Sequence, residues 1–125
     1  MNLLKIAALS SLFFLLITGA ISSCQKSVTA TLATVTTNTT TVAYYKAFTG
    51  GVITNKGNSP IIACGVCFSD TITPIISNNV IPGSPDSTTF ASTIIVTAPG
   101  TYFVRAYATN NAGTAYGNQQ SFVVQ

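Results

Sequence analysis

The sequence predicts an all-β domain, a sandwich of two sheets made from about seven short strands, preceded by a helical amino-terminal segment. Three observations lead there. Beyond Cys24 the residues Thr, Val, Ile, Tyr and Phe dominate, and no run of Glu, Lys, Leu and Gln sustains a helix. Gly, Pro and Asn clusters interrupt the apolar stretches at spacings of roughly 8 to 12 residues, the length of a strand plus its turn. The chain has 125 residues, enough for one core and too few for a second domain.

Taken in order, Gln25 to Thr41 is rich in Thr, Ser and Ala; residues 24–31 read as a tether, and the first strand lies near Leu32 to Val35. Ala43 to Ile53 alternates and ends at the turn Asn55-Lys56-Gly57-Asn58-Ser59-Pro60. Ile61 to Phe68 follows and stops at Ser69-Asp70. The Pro- and Asn-rich stretch Pro74 to Pro85 reads as a loop holding a short edge strand. Thr88 to Val96 is the next strand, and Ala98-Pro99-Gly100 turns into Thr101 to Thr109. Asn110-Asn111-Ala112-Gly113 forms a hairpin, with Asn110 and Gly113 expected to supply positive backbone dihedrals, and Thr114 to Val124 ends the chain. No internal repeat is visible.

The amino terminus has a different chemistry. Met1 to Lys5 gives a short basic start, Ile6 to Ile21 is an almost unbroken apolar run, and Ser22-Ser23 lead into Cys24. That order marks residues 1–23 as a secretory signal peptide, because the run is short for a membrane span and ends in small residues. Ile21-Ser22-Ser23-Cys24 resembles a bacterial lipobox. The resemblance implies cleavage before Cys24, lipidation of its thiol with diacylglycerol, acylation (palmitate) of its amino group, and membrane attachment of residues 24–125. Each buried methylene contributes about 0.8 kcal/mol, so two or more chains anchor stably where one is marginal. Every later apolar stretch is broken within about ten residues, short of the ~20 that a spanning helix needs.

The carboxyl end carries a second resemblance. Pro99-Gly100-Thr101-Tyr102-Phe103-Val104-Arg105-Ala106-Tyr107-Ala108-Thr109-Asn110, then Ala112-Gly113-Thr114-Ala115-Tyr116-Gly117-Asn118 and Ser121-Phe122, resembles the last two strands of fibronectin type III-like domains in lipoproteins of Bacteroidota. Gly50-Gly51-Val52 and Gly65-Val66-Cys67-Phe68-Ser69 resemble the second and third strands of the same modules. The likeness covers residues 32–125 and implies an immunoglobulin/fibronectin type III-like sandwich. The turn before Tyr102 is one residue tighter than is usual in the family.

Strand alternation assigns faces. Tyr102, Val104, Ala106 and Ala108 share one side and read as inward; Phe103, Arg105, Tyr107 and Thr109 share the other. Tyr102 follows a Pro-Gly turn, where sandwiches place a corner tyrosine whose ring packs inward and whose hydroxyl bonds nearby backbone. The outward row Phe103, Arg105, Tyr107 is the candidate contact surface, since aromatic rings and guanidinium groups are enriched at binding sites. Pairing across strands with Tyr116 is the structural alternative.

Other chemistry is thin. Charged residues are 6% of the chain and histidine is absent. Lys26, Lys46, Lys56 and Arg105 are scattered and form no nucleic-acid footprint. Without His or Glu no base stands ready to activate a nucleophile, so no catalytic site and no cofactor are expected. Cys64 and Cys67 lack the further ligands zinc requires. Three strand steps hold them ~10 Å apart, beyond the ~7 Å that a disulfide bridges, so both read as free thiols, with Cys67 outward. Asp70-Thr71-Ile72 and Asp86-Ser87-Thr88 resemble the O-glycosylation acceptor of Bacteroidota, implying glycans at Thr71 and Ser87; ordinary turn chemistry is the alternative.

The function expected is that of a lipid-anchored cell-envelope module at the outer membrane, non-catalytic, serving as a spacer or binding a protein or glycan partner. A pilin-like, strand-exchanging assembly subunit is the runner-up, because a Thr-rich first strand suits donation to a neighbour's open sheet. A carbohydrate-binding accessory lipoprotein is third.

Overall fold

The computed structural model describes residues 29–125; the expected signal peptide, the lipobox-like motif and Cys24 lie outside the described residues. The described chain is an immunoglobulin-like β-sandwich, all β, of two antiparallel sheets. Its strands are β1 (Thr34–Thr37), β2 (Thr41–Ala43), β3 (Lys46–Asn55), β4 (Ala63–Ser69), β5 (Asn79–Pro82), β6 (Thr89–Ile95), β7 (Gly100–Asn110), β8 (Gly113–Tyr116) and β9 (Gln120–Val124). The first sheet contains β1, β2, β3 and β6, and the second contains β4, β5, β7, β8 and β9.

The strand count exceeds the sequence expectation because two expected elements are divided. The stretch expected as one strand over Ala43 to Ile53 contains the turn Tyr44-Tyr45, which folds β2 back on β3 with Thr41 opposite Phe48 and Ala43 opposite Lys46. Thr114 to Val124 is interrupted at Gly117-Asn118-Gln119, so β8 pairs with the far end of β7 and β9 with its beginning. The first strand starts two residues later than expected, at Thr34.

The break between β8 and β9 meets a gap on the first sheet, the one between the end of β1 at Thr37 and the start of β2 at Thr41. β1 and β2 lie end to end along one edge of β3, because β6 occupies its other edge across the same residues. In the second sheet β8 and β9 do the same along β7, whose other edge holds β4. Ala106 falls in the gap between β8 and β9, and its backbone is satisfied from both sides of the sandwich: its N–H donates to Thr37 Oγ1 at 2.9 Å and its carbonyl accepts from Gly117 N at 2.8 Å. Thr37 N in turn donates to Asn118 Oδ1 at 2.9 Å. Close approach is what requires glycine here. A Cβ on Gly117 would lie 2.6 Å from Thr37 Oγ1, and one on Gly51 would lie 2.6 Å from the Ala106 Cβ. The sheets are therefore pinned together where three small residues and one threonine coincide.

The core follows the expected alternation. Val104, Ala106 and Ala108 are fully buried, with Val66, Ile94, Phe122 and Val124 around them, and Tyr102 packs against this cluster. The Tyr102 ring stacks on Phe122 with centroids 5.5 Å apart, and its hydroxyl donates to Ala98 O at 2.8 Å, completing the corner expected from the Pro-Gly turn. One expectation is corrected. Asn110 does not adopt a positive φ, whereas Gly113 does at 137°. Asn110 acts through its side chain, which donates to Thr31 O and Lys56 O and accepts from Ala112 N, tying the hairpin to the chain's entry and to the β3–β4 loop.

Among the described residues no helix is long and apolar enough to cross a membrane.

Candidate functional site

The outward row of β7 is roofed. Residues 70–78, which connect β4 to β5, fold across the outer face of the second sheet, and Pro74 is almost completely buried beneath its own loop. Arg105 donates to Pro74 O through Nε at 2.8 Å and through a terminal guanidinium nitrogen at 2.6 Å, and its guanidinium carbon sits 4.2 Å from the centre of the Tyr116 ring. Thr73 N and Ile76 N donate to Gln119 Oε1 and the Tyr116 hydroxyl, fastening the roof to the β8–β9 side. Among the described residues Arg105 has no carboxylate partner, and the carbonyl and the ring face serve instead.

This placement changes the surface read from sequence. Tyr107 is 5% exposed and stands between Gly65 of β4 and Tyr116 of β8, so it is buried and offers no contact face. Arg105 is engaged, and Phe103 is half-buried beside Ser121 on β9. The cross-strand alternative, with Tyr116 opposite Tyr107, is the arrangement found.

Cys67 lies under the same roof. It points outward, as its position in β4 requires, yet it is fully buried, with Sγ 3.5 Å from both Pro74 O and Arg105 O. Cys64 points inward to the core and is also a free thiol. Burial pushes both thiols above their usual range, and at Cys67 the Arg105 charge opposes this only in part. Burial likewise raises the Tyr107 phenol. Buried, protonated thiols on opposite faces are poor nucleophiles and poor ligands.

Thr71 and Ser87 are exposed in loops. Their hydroxyls take part in local turns: Thr71 Oγ1 with Ser69 Oγ at 3.0 Å, and Ser87 Oγ donating to Thr89 O at 2.7 Å. Asp70 and Asp86 are exposed as well and lie in different loops. Among the described residues no group of three or more His, Cys, Asp or Glu side chains gathers around a common point.

An open aromatic surface lies on the first sheet, where sequence reasoning did not look. Tyr44 is 92% exposed at the tip of the β2–β3 hairpin and holds a φ of 55°, unusual for a bulky side chain. Lys46, Phe48 and Ile95 follow on the outer face beside it, Phe48 at 44% and Ile95 at 64% exposure. The available signal was Tyr44-Tyr45 itself: two adjacent aromatics cannot share one face of a strand. Comparison with protein-family models finds no match, and comparison with curated proteins finds none either.

Proposed function

We propose that this protein is a lipid-anchored, non-catalytic binding or spacer module of the cell envelope, a fibronectin type III-like domain of the kind borne by Bacteroidota lipoproteins, attached at the outer membrane through Cys24. The observation that carries the reading is the opposition of the domain's two ends. The chain enters beside Gly57 and Asn110, where Thr31 N donates to Gly57 O and Thr31 O accepts from Asn110. The Tyr44 tip belongs to the other end, because Thr34 pairs at the Asn55 end of β3 and Ala43 at the Lys46 end. A domain tethered by residues 24–31 therefore carries its exposed aromatic end away from the bilayer, as a module reaching for a partner must.

The test is partitioning of the full-length protein between detergent and water. Cys24→Ala should move it out of the detergent phase, and unchanged partitioning overturns the anchor. Protease shaving of intact cells then decides which membrane face the module occupies. The glycan-binding reading now rests on the exposed Tyr44 ring in place of Phe103 and Tyr107, and loss of glycan-array binding in Tyr44→Ala would select it. Thr71 and Ser87 are proposed as O-glycan acceptors because both are exposed in loops. Intact mass of protein from its own host equal to peptide plus lipid alone overturns that assignment.

A further inference from the structure

The sandwich has four sheet edges, and three of them are protected against pairing with another chain. β5 is only four residues long and ends at Pro82. The β1/β2 edge is interrupted between Thr37 and Thr41, and the β8/β9 edge between Tyr116 and Gln120. Short edges, prolines and interruptions are the devices that keep sheets from adding strands. β6 has none of them. Thr89-Phe90-Ala91-Ser92-Thr93-Ile94-Ile95 is continuous, carries no charge and no proline, and pairs with β3 without a register shift.

The hydrogen-bond parity of β6 shows which groups it leaves open. Ile53 N donates to Thr88 O and Val96 N donates to Tyr45 O, so even-numbered positions turn their backbone groups toward β3. The odd-numbered Thr89, Ala91, Thr93 and Ile95 turn theirs to the free edge. Thr89 is already capped: Ser87 Oγ donates to its carbonyl at 2.7 Å and accepts from its N–H at 3.3 Å. Ala91, Thr93 and Ile95 are left, and no described residue bonds their outward N–H and C=O groups.

We infer that this edge pairs with the β6 of a second copy of the chain, antiparallel about a two-fold axis at Thr93. The register follows from the open groups. Centring on Thr93 places Ala91 opposite Ile95, Thr93 opposite Thr93 and Ile95 opposite Ala91, each a hydrogen-bonded pair exchanging two bonds, so every open group is used and the capped Thr89 is left out. Centring on Ala91 would force Thr89 into the ladder and strand Ile95. The inward side chains Phe90, Ser92 and Ile94 are untouched, since they are buried in their own core. The outward Thr93 pair meets as a cross-strand threonine pair with no like charge opposed, and the two first sheets merge into one. An isologous contact of this kind closes on itself and stops at two copies. Its area is small, in the class of weak interfaces, so it forms at high local concentration.

The test uses the full-length protein in mild detergent with single cysteines introduced at Ala91, Thr93 or Ile95, and the parent chain run alongside. In the inferred register the two copies of residue 93 have alpha carbons about 5.5 Å apart, within the ~4.4 to 6.8 Å that a disulfide spans. Each of residues 91 and 95 is about 14 Å from its own copy. Oxidation should therefore give covalent dimers with Thr93→Cys alone, and with Ala91→Cys mixed with Ile95→Cys. Cross-linking at all three positions equally, or at none, overturns the pairing. Charge reversal checks the same contact without oxidation. Thr93→Lys and Thr93→Glu should each weaken self-association at least roughly tenfold, while their mixture restores it. Thr93→Lys dimers as strong as the parent's, or a mixture that stays monomeric, would place any association elsewhere and end the proposal.

Discussion

On the second sheet the outward row of β7 lies beneath residues 70–78, whereas on the first sheet the outward row of β3 and β6 carries nothing above it among the described residues. Both rows mix polar and apolar side chains, and both contain an aromatic and a cation: Tyr107 with Arg105 on one, Phe48 with Lys46 on the other. Yet Tyr107 is 5% exposed and Phe48 is 44% exposed. What separates them is the connection nearby. The β4–β5 segment is long enough to lie back across its sheet and can bond there, through Pro74 O to Arg105 and through Ile76 N to Tyr116. The β2–β3 connection is a tight turn, which reaches nothing but its own end of the sheet. An outward position is thus a potential surface only until a neighbouring loop claims it.

The widest gap between the two faces should be seen in Tyr107→Ala against Phe48→Ala. Removing the buried ring leaves a cavity over Gly65 and should cost about 3 kcal/mol, whereas the open ring should cost under about 1 kcal/mol. Chemical denaturation of both variants measures this, and equal losses would mean that the loop does not hold the second face. The next effect is Arg105→Ala. Losing the bonds to Pro74 O and the stack on Tyr116 should cost about 2 kcal/mol and speed local opening, read as faster hydrogen exchange at Thr73 and Ile76. Protection unchanged at those amides would show that the loop is held without the guanidinium.

Tyr44→Gly should act in the opposite direction. The side chain is 92% exposed and its backbone is left-handed; glycine relieves a strain of about 1 to 2 kcal/mol and gives back part of it through unfolded-state entropy. The expected gain is about 0.5 to 1 kcal/mol, and a loss of stability would show that the ring packs against something. The smallest effect concerns the thiols. Because burial raises their folded pKa values, the folded state holds those protons more tightly than the unfolded chain does. That contribution is complete below the ordinary thiol value of 9.0 and is lost as pH rises past it into the raised range. Stability should thus decline as pH climbs above about 9, less steeply in the Cys64→Ala, Cys67→Ala double variant. Native protein should also label at this pair only after denaturation, and rapid native labelling of Cys67 would contradict the roof.

Local chemistry alone decided much of this molecule. The β class, the inward set Tyr102, Val104, Ala106 and Ala108, the corner hydroxyl and the hairpin at Asn110 to Gly113 all follow from alternation and turn residues, which act over a few positions and are written directly in the chain. The pattern around Cys24 is legible in the same way. Tertiary structure decided the rest. Nothing in Thr114 to Val124 says that the strand must break at Gly117, because the reason is Thr37, distant in sequence, whose hydroxyl occupies the space. Nothing near Arg105 says that its partner is the carbonyl of Pro74. Faces are fixed by a period of two residues, but whether a face meets water depends on loops and strands that arrive from elsewhere, and a one-dimensional pattern carries no record of them.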